Sequence, residues 1–193
     1  MAGTDGTREM IMDGPVIVLV QPQLGENIGM VARAMANFGL SELRLVKPRD
    51  GWPSEKASSA ASKADHVIDG ATVYETLEDA IADLKWTYAT TARSRDMLKP
   101  VRAPEYAAQA LRTRHASGQK VGILFGRERV GLLNDEVALA DEIVTFPVNP
   151  AFASLNIAQA VLLMSYEWMK TSVAGPEETA FEMPAAEPAD KAD

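Results

Sequence analysis

The hydrophobic positions of the chain fall into short apolar runs, separated by segments in which apolar residues recur every three or four positions. The runs are rich in β-branched residues and bounded by glycine or proline, as buried parallel strands are. They lie at residues 16–20, 43–46, 86–91, 121–125 and 143–146, with weaker candidates at residues 67–68 and 73. This alternation predicts an α/β fold with a parallel sheet of five or six strands, flanked by helices.

The clearest helical segment follows the first predicted strand. Apolar residues recur at helical spacing over residues 28–38, with Asn27 as the predicted cap and Gly39 as the predicted stop. Arg33 lies off the apolar stripe of this helix. Further helices are predicted at residues 54–64, 77–84 and 104–115, and from about residues 134 and 154.

The two ends of the chain differ in composition from its middle. Residues 1–13 have no apolar period and are expected to form a mobile lead-in, whereas residues 14–172 are long enough for one domain with its own core. Residues 173–193 are rich in Ala, Pro and Glu, a composition that predicts a disordered acidic tail. Residues 175–193 carry six acidic residues and one basic residue, so they account for −5 of the net charge of −8. The domain itself is only mildly acidic, and RNA binding is not excluded.

Composition excludes several classes of site. The chain has no cysteine, which rules out disulfides and thiolate metal ligands, and its two histidines are too few for a histidine-rich metal centre. No metal is therefore expected. No apolar run has the length of a membrane span, and residues 1–13 lack the apolar core of a secretory signal, so the expected location is the cytoplasm, away from membranes.

Two loops with unusual chemistry are predicted at the same edge of the sheet. Residues 126–129 place three charged side chains beside a glycine after one strand, and residues 147–156 follow the next strand. Parallel strands deliver such loops to the edge where α/β proteins bind ligands. Two prolines stiffen the second loop, because each fixes its own φ and restricts the residue before it. A stiff, partly apolar loop facing a charged turn predicts a small-molecule pocket.

The same loops carry a family resemblance. The segments ILFGRERVGLLNDE (residues 123–136) and FPVNPAFASLNIAQAV (residues 146–161) resemble the second and third signature motifs of the SpoU branch of the SPOUT RNA methyltransferases. NIGMVARAM (residues 27–35) resembles the first motif. TTARSR (residues 90–95) narrows the resemblance to the TrmJ-type tRNA ribose 2′-O-methyltransferases. The resemblance covers roughly residues 14–169, with the motifs in order.

For the fold, the resemblance implies a C-terminal trefoil knot, which periodicity alone would not suggest because knots are rare. It also implies a homodimer, built on the helix that contains the first motif and on the last helix of the domain. Candidate contact residues on these helices are Met30, Met35 and Phe38, and Val161, Leu162, Met164, Tyr166 and Trp168. The alternative is that either stripe belongs to the core, the more frequent role of an apolar helix face.

The resemblance further implies S-adenosylmethionine as the methyl donor. The residues that it assigns to the donor site are Thr90, Thr91, Ala92, Gly126, Arg127, Phe146, Pro147, Ser154 and Leu155. An adenine favours an apolar slot with backbone hydrogen bonds, and a glycine lets the backbone approach a ligand closely. Taken singly, Gly126 and Pro147 are also ordinary turn residues.

The family pattern makes Arg33 the catalytic residue for the ribose 2′-hydroxyl. A guanidinium stays protonated at ordinary pH, so Arg33 is expected to hold a phosphate, orient the hydroxyl and stabilise oxyanion charge. Phosphate or water would then take the proton. The alternative for Arg33 alone is a surface arginine on an amphipathic helix.

Four further residues are assigned to the catalytic site by resemblance: Asn27, Glu128, Ser154 and Asn156. Glu128 is expected to be ionised and paired with a neighbouring arginine, either to position it or as scaffold. Asn27 and Asn156 begin helical segments, so capping is the simpler expectation for both. Ser154 has no histidine near it in the sequence, and a hydrolase nucleophile is unsupported.

Basic residues expected at the same edge form a candidate RNA-binding set, with solvated loop residues as the alternative. The set comprises Arg33, Arg93, Arg95, Arg102 and Arg127.

The resemblance implies tRNA as the substrate, with the first ribose of the anticodon loop as the target. TrmJ-type chains commonly continue into a C-terminal extension where this sequence has a short acidic tail, so another tRNA or rRNA site is the nearest alternative. An RNA-binding or dimerisation module without catalysis is the alternative from another class, and the complete motifs weigh against it.

Overall fold

The structure is a computed structural model that describes residues 7–92 and 99–172. Part of the predicted lead-in, the whole predicted tail, and both Arg93 and Arg95 lie outside these ranges. Within these ranges, no helix combines the length and apolar character needed to cross a membrane. The same residues contain no cluster of three or more His, Cys, Asp or Glu side chains suited to hold a metal ion.

A parallel sheet, with seven strands in the described part of the chain, forms the centre of the fold. In chain order the strands are β1 (Val16–Val20), β2 (Leu43–Val46), β3 (Thr72–Tyr74), β4 (Trp86–Thr90), β5 (Val101–Arg102), β6 (Val121–Phe125) and β7 (Glu142–Val144). Across the sheet their order is β3-β2-β1-β6-β4-β7-β5, and every pair is parallel. The loops that follow the strands therefore meet at one edge.

The α/β class with a flanked parallel sheet is confirmed, but the described sheet has more strands than the five or six expected. The additional strand is β5, where the sequence predicts a loop. Its two residues have no apolar pattern, and they become a strand by pairing with β7 at the margin of the sheet. Of the weak candidates, Val73 lies in β3, whereas residues 67–68 lie in a helix. The trefoil knot implied by the resemblance stays a prediction.

Helices cover both faces of the sheet. They are α1 (Gly25–Asn37), α2 (Glu55–Ala61), α3 (Asp65–Asp69), α4 (Leu77–Ile81), α5 (Pro104–Ala116), α6 (Asn134–Leu139) and α7 (Ile157–Lys170). One core layer lies between the sheet and helices α1, α2, α3, α5 and α7, and the other lies against α4 and α6. Strand residues alternate between them: Ile17 and Leu19 join the first layer, whereas Val18 joins the second.

Helix α1 differs from its prediction at the start and agrees at the end. Its cap is Leu24, and Asn27 lies inside the first turn, so the predicted cap at Asn27 is wrong. Gly39 has a left-handed φ of 74° just past the end of the helix, which confirms the predicted stop. Farther along, α1 approaches α2 so closely that a Cβ on Gly29 would lie 2.2 Å from the carbonyl oxygen of Ala57. The small residues of α2 permit this close packing.

Helices α1 and α7 pack on each other, and this contact divides the residues predicted to mediate dimerisation. Four of them are buried in the core, as the alternative interpretation holds: Met35, Val161, Met164 and Trp168. Met30, Leu162 and Tyr166 are 41%, 39% and 49% exposed, and neighbouring Leu163 is 40% exposed. Phe38 packs edge-on against Tyr166, with ring centroids 5.8 Å apart. An apolar strip thus remains on the outer surface of the α1–α7 pair.

Candidate active site

A cavity of about 320 Å³ opens at the carboxyl ends of β4, β6 and β7. It is lined by eight of the nine residues predicted to bind the methyl donor: Thr90, Thr91, Ala92, Gly126, Arg127, Phe146, Ser154 and Leu155. The ninth, Pro147, is exposed and does not line the cavity, and its ring instead fixes the backbone just before Val148, which does. The volume lies within the range of small-molecule sites.

Several cavity residues were not singled out from the sequence. They are Val130, Gly131, Val148, Ala153, Ile157 and Ala160. Ile157 and Ala160 lie three positions apart in the first turn of α7, so helical spacing could have placed both on one face. The others belong to the two loops already predicted to form the pocket, but their direction depends on how those loops fold.

The loop after β6 folds back on itself, and Gly126 permits this. The backbones of Arg127 and Gly131 form two hydrogen bonds, with N···O distances of 3.3 and 2.9 Å. A Cβ on Gly126 would lie 2.1 Å from the backbone of both Gly131 and Leu132. A side chain at position 126 would therefore collide with the loop's own backbone, whereas Gly126 itself lines the cavity.

Arg127 holds this loop against α6. Its Nη2 and Nη1 atoms contact the Glu136 carboxylate at 2.8 and 3.0 Å, and the two side chains are only 10% and 12% exposed. The same guanidinium donates to Gln21 Oε1 at 3.0 Å and to the Gly131 carbonyl oxygen at 3.3 Å. Because these bonds occupy its guanidinium, Arg127 supports the cavity wall, and its role in RNA binding stays a prediction.

Glu128 is bound by backbone groups, and the predicted pairing with an adjacent arginine is wrong. Its carboxylate accepts hydrogen bonds from the backbone N–H of Gln23 at 2.9 Å and of Leu24 at 3.2 Å. It also accepts from Asn27 Nδ2 at 3.0 Å. A carboxylate at this position complements the positive end of the α1 dipole. Glu128 thus ties the loop after β6 to the start of α1.

Asn27 and Asn156 extend this connection to α7. Asn27 is 5% exposed, and its Oδ1 accepts a hydrogen bond from Asn156 Nδ2 at 3.2 Å. Asn156 Oδ1 accepts from the backbone N–H of Ala158 at 2.8 Å, which confirms Asn156 as the cap of α7. The hydrogen-bonded series from Glu128 through Asn27 to Asn156, termed the polar tie below, joins residues from all three signature motifs.

Ser154 and Arg33 occupy different places. Ser154 lines the cavity, whereas neither histidine does. Ser154 therefore has no histidine in the cavity wall that could activate it as a hydrolase nucleophile. Arg33 is exposed on α1 and lies outside the cavity wall. Its Nη1 donates to Ser62 Oγ at 3.4 Å, and it forms no ion pair with any residue that the structure describes. Its positive charge is therefore available to an anionic ligand.

Arg102 lies at the margin of the sheet and is already paired. Its Nε and Nη2 atoms donate to the two oxygens of Glu142 at 3.0 and 2.9 Å, and its guanidinium lies 4.7 Å from the centre of the Tyr106 ring. These hydrogen bonds lower the pKa of Glu142 and raise that of Arg102. Of the predicted RNA-binding set, Arg33 is the member within residues 7–92 and 99–172 that has no carboxylate partner.

Comparisons with known proteins agree with this site. Residues 14–166 match the family model described as the SpoU rRNA Methylase family. A tRNA (cytidine/uridine-2′-O-)-methyltransferase TrmJ from Yersinia enterocolitica is 40% identical over 78% of this chain and 58% of its own length. A tRNA (cytidine/uridine/adenosine-2′-O-)-methyltransferase TrmJ from Pseudomonas aeruginosa is 40% identical over 81% of this chain and 61% of its own length. This chain therefore spans about three fifths of the length of these relatives.

A solved structure extends the likeness to the fold. The crystal structure of TrmJ from Z. mobilis ZM4 superposes with a TM-score of 0.77 and is 59% identical, over 81% of this chain and 68% of that chain. Residues 14–166, which the family model matches, contain the cavity, Arg33 and the polar tie. On the extent of the family match and these similarities, the chain belongs to the SpoU rRNA methylase family.

Proposed function

We propose that this chain transfers a methyl group from S-adenosylmethionine to a ribose 2′-hydroxyl of RNA, with the first ribose of the tRNA anticodon loop as its target. The observation that carries the proposal is the cavity itself, whose walls come from the second and third motifs and whose loops are joined to the first motif by the polar tie. The TrmJ relatives, named for 2′-O-methylation of tRNA, support the choice of substrate. A tRNA-modifying reaction would take place in the cytoplasm.

The size and chemistry of the cavity support S-adenosylmethionine as its ligand. Phe146, Leu155 and Ile157 provide apolar wall, and polar groups flank it at Thr90 and Ser154. Such a mixture suits an adenosine joined to an amino-acid chain, because an apolar slot accepts the base while backbone and hydroxyl groups fix its orientation. When bound, S-adenosylmethionine supplies an electrophilic methyl group. No metal is needed for this transfer, and we propose none.

Arg33 is the residue that we assign to the RNA substrate. Its guanidinium is exposed, carries no paired carboxylate among the described residues and presents several N–H donors. Such a group can grip a phosphate and stabilise negative charge on the reacting oxygen, while water or the phosphate accepts the proton. Asn27, Glu128 and Asn156 would act by positioning, since their polar groups bind one another, and Ser154 would contact donor or substrate from the cavity wall.

We also propose that the chain forms a homodimer through the apolar strip on α1 and α7. Met30, Leu162, Leu163 and Tyr166 are all at least 39% exposed in one copy, and together they would be shielded by a second copy. Arg33 lies on α1 beside this strip and outside its own cavity wall. A second copy could therefore bring its cavity to Arg33. In that arrangement, mixing the Arg33→Ala variant with a cavity variant such as Leu155→Arg would restore activity, because a mixed dimer would combine one intact Arg33 with one intact cavity.

The proposed function is tested by supplying radiolabelled S-adenosylmethionine and mapping the methylated riboses. A tRNA transcript and an rRNA fragment should be offered side by side, because the family description names rRNA and the TrmJ relatives name tRNA. We expect one methylated ribose, in the tRNA anticodon loop, and donor binding in the presence of chelator. Methylation of rRNA alone would show that rRNA, and not tRNA, is the substrate. Donor binding without methyl transfer to any RNA would favour the non-catalytic module.

A further inference from the structure

Phe152 is the most exposed large apolar side chain in the described part of the protein, at 78%. A single exposed apolar residue is common and needs no explanation by itself. The position of this one is unusual, because Ala153, Ser154 and Leu155 directly after it line the cavity. Two residues of chain span at most roughly 7 Å, so the backbone of Phe152 lies within that distance of Ser154. An aromatic side chain is thus exposed to solvent directly beside a segment that lines the proposed donor site.

The loop that carries Phe152 is held rigidly. The Asn149 carbonyl oxygen accepts a hydrogen bond from the backbone N–H of Phe152 at 2.9 Å, and Asn149 Oδ1 accepts from the N–H of Ala151 at 3.0 Å. Pro147 and Pro150 fix the backbone on either side of Asn149. The ring is therefore presented by a preorganised turn, which lowers the conformational cost of placing a flat partner against it.

The loop is also anchored at both ends to the site. At its start, Thr145 Oγ1 donates to the Thr91 carbonyl oxygen at 2.9 Å, and Thr91 lines the cavity. At its end, Asn156 caps α7 and belongs to the polar tie. A partner that contacts Phe152 is therefore placed in a fixed relation to the cavity wall.

We propose that Phe152 stacks on the nucleobase of the ribose that is methylated, an inference that rests on the proposed function. A ribose brought to the cavity necessarily carries its base within a few ångströms of the cavity entrance. Unpaired bases in RNA loops are commonly recognised by stacking on aromatic side chains. Every base has a π-face, so stacking adds affinity without choosing the base. Phe152 would accordingly hold the target nucleotide, while other contacts determine its identity.

The test compares Phe152→Ala, Phe152→Leu and Phe152→Tyr on a tRNA transcript at saturating donor. Phe152→Ala should raise KM for tRNA roughly tenfold, by loss of one stacked base. Because stacking is present in both ground and transition states, kcat should change little. Tyr should restore most of the lost affinity and Leu little, since leucine keeps apolar area but has no π-face. Donor affinity, measured by calorimetry, should equal that of the wild type in all three variants.

A second measurement identifies the base. Wild type and Phe152→Ala should bind equally to a transcript that is abasic at the target nucleotide, and should still differ on one that is abasic at the next nucleotide. The reverse pattern would overturn the assignment to the target base. If Phe152→Leu bound tRNA as tightly as Phe152→Tyr, the proposal of stacking would be wrong.

Two further outcomes separate the inference from other roles. Conversion of Phe152→Ala to monomers, seen by sedimentation while the wild type is dimeric, would assign the ring to contact with a second copy and refute the proposal. If the wild type methylates tRNA and Phe152→Ala keeps its KM, the stacking inference fails and the proposed function stands. If the wild type methylates no tRNA, both fail together.

Discussion

Two arginines, Arg44 in strand β2 and Arg33 on helix α1, have very different surroundings in this fold. At the amino edge, Arg44 is 4% exposed, and its guanidinium lies 2.6 Å from Glu42 and 2.5 Å from Asp83. Lys120 contacts the same two carboxylates at 2.9 and 3.1 Å. On helix α1, Arg33 is exposed and contacts a single hydroxyl, that of Ser62, at 3.4 Å. One arginine is enclosed by carboxylates, and the other faces solvent.

The comparison indicates that an arginine paired with carboxylates supports the fold, whereas one without a carboxylate partner can bind a substrate. Its location in the fold does not decide this. Arg127 lies at the carboxyl edge and lines the cavity, yet its two-point contact with Glu136 makes it resemble Arg44. The hydrogen bonds that Arg44 donates to Asp83 and Glu42 raise the pKa of Arg44 further above its ordinary value. A guanidinium satisfied in this way has little capacity left for phosphate. Arg33 retains that capacity.

The sharpest way to break the comparison is Arg33→Ala. Turnover should fall roughly 10²–10³-fold, as when a group that stabilises developing charge is removed. Donor affinity and the unfolding midpoint should remain unchanged, because Arg33 is exposed and outside the cavity wall. Single-turnover methylation of tRNA provides the measurement. Arg49→Ala is the matched control, since Arg49 is also exposed but pairs with Asp50, and it should retain near wild-type activity.

The polar tie offers a second, smaller perturbation, at the start of α1. Asn27→Asp would place a new carboxylate beside Glu128 in a position that is 5% exposed. Loss of the hydrogen bond and the added repulsion should weaken donor binding roughly tenfold at pH 7. Asn27→Ala removes the same hydrogen bond without adding a charge, so it should weaken donor binding less than Asn27→Asp does. Asn37→Asp, an exposed position on the same helix, should change nothing. Calorimetry measures these affinities, and an equal loss in Asn27→Ala and Asn27→Asp would contradict the repulsion.

At the amino edge, Arg44→Met should affect stability and leave the site alone. The variant loses hydrogen bonds to two carboxylates and to the Ala80 carbonyl oxygen, and the free energy of unfolding should fall by about 1–3 kcal/mol. Chemical denaturation measures this loss. Donor affinity well below the melting temperature should match that of the wild type. An equal loss of donor affinity would show that the two edges are not independent.

The smallest expected effect is on acid stability. Hydrogen bonds from Arg44 hold the pKa of Asp83 well below its ordinary value of 3.8. A carboxylate whose pKa is depressed by folding stabilises the protein above its unfolded pKa, and that contribution is lost as pH falls below it. The wild type should therefore lose stability more steeply than Arg44→Met as pH falls below about 4. Because Asp83 is half exposed, solvent screens the effect. If the free energy of unfolding fell equally for the two proteins between pH 5 and pH 3, this prediction would be wrong.

The sequence predicts the fold best where an apolar pattern extends over a whole strand. The central strands β1 and β6 are continuous apolar runs because a parallel strand inside the sheet is covered on both faces. Strand β5 has no such signal, since one of its two residues is exposed and its pairing with β7 is non-local. The order of strands could not be predicted either, because it depends on which distant segments pair.

For the site, the sequence indicated which loops converge but not what their charges bind. Arg127, Glu128 and Arg129 are adjacent in the chain, which suggested mutual pairing. In the folded protein Arg127 contacts Glu136, whereas Glu128 contacts Gln23, 105 residues away in the chain. Adjacent side chains on a turn diverge, and their partners are chosen by tertiary packing. The exposure of Phe152 could not be predicted either, because a single aromatic residue in a loop gives no periodic signal.

The contact between Glu128 and the start of α1 has a mechanical consequence. The loop that forms one wall of the cavity and the helix that carries Arg33 are joined by a carboxylate with three donors, at the rigid end of a 13-residue helix. A ligand that displaced this loop would therefore also displace the start of that helix, which carries Arg33 two turns along. By thermodynamic reciprocity, if binding in the cavity changed the affinity for an anion at Arg33 by some factor, binding of the anion would change the affinity in the cavity by the same factor. Donor and RNA would then influence each other's affinity through the protein, and the order in which they bind would leave the total binding free energy unchanged.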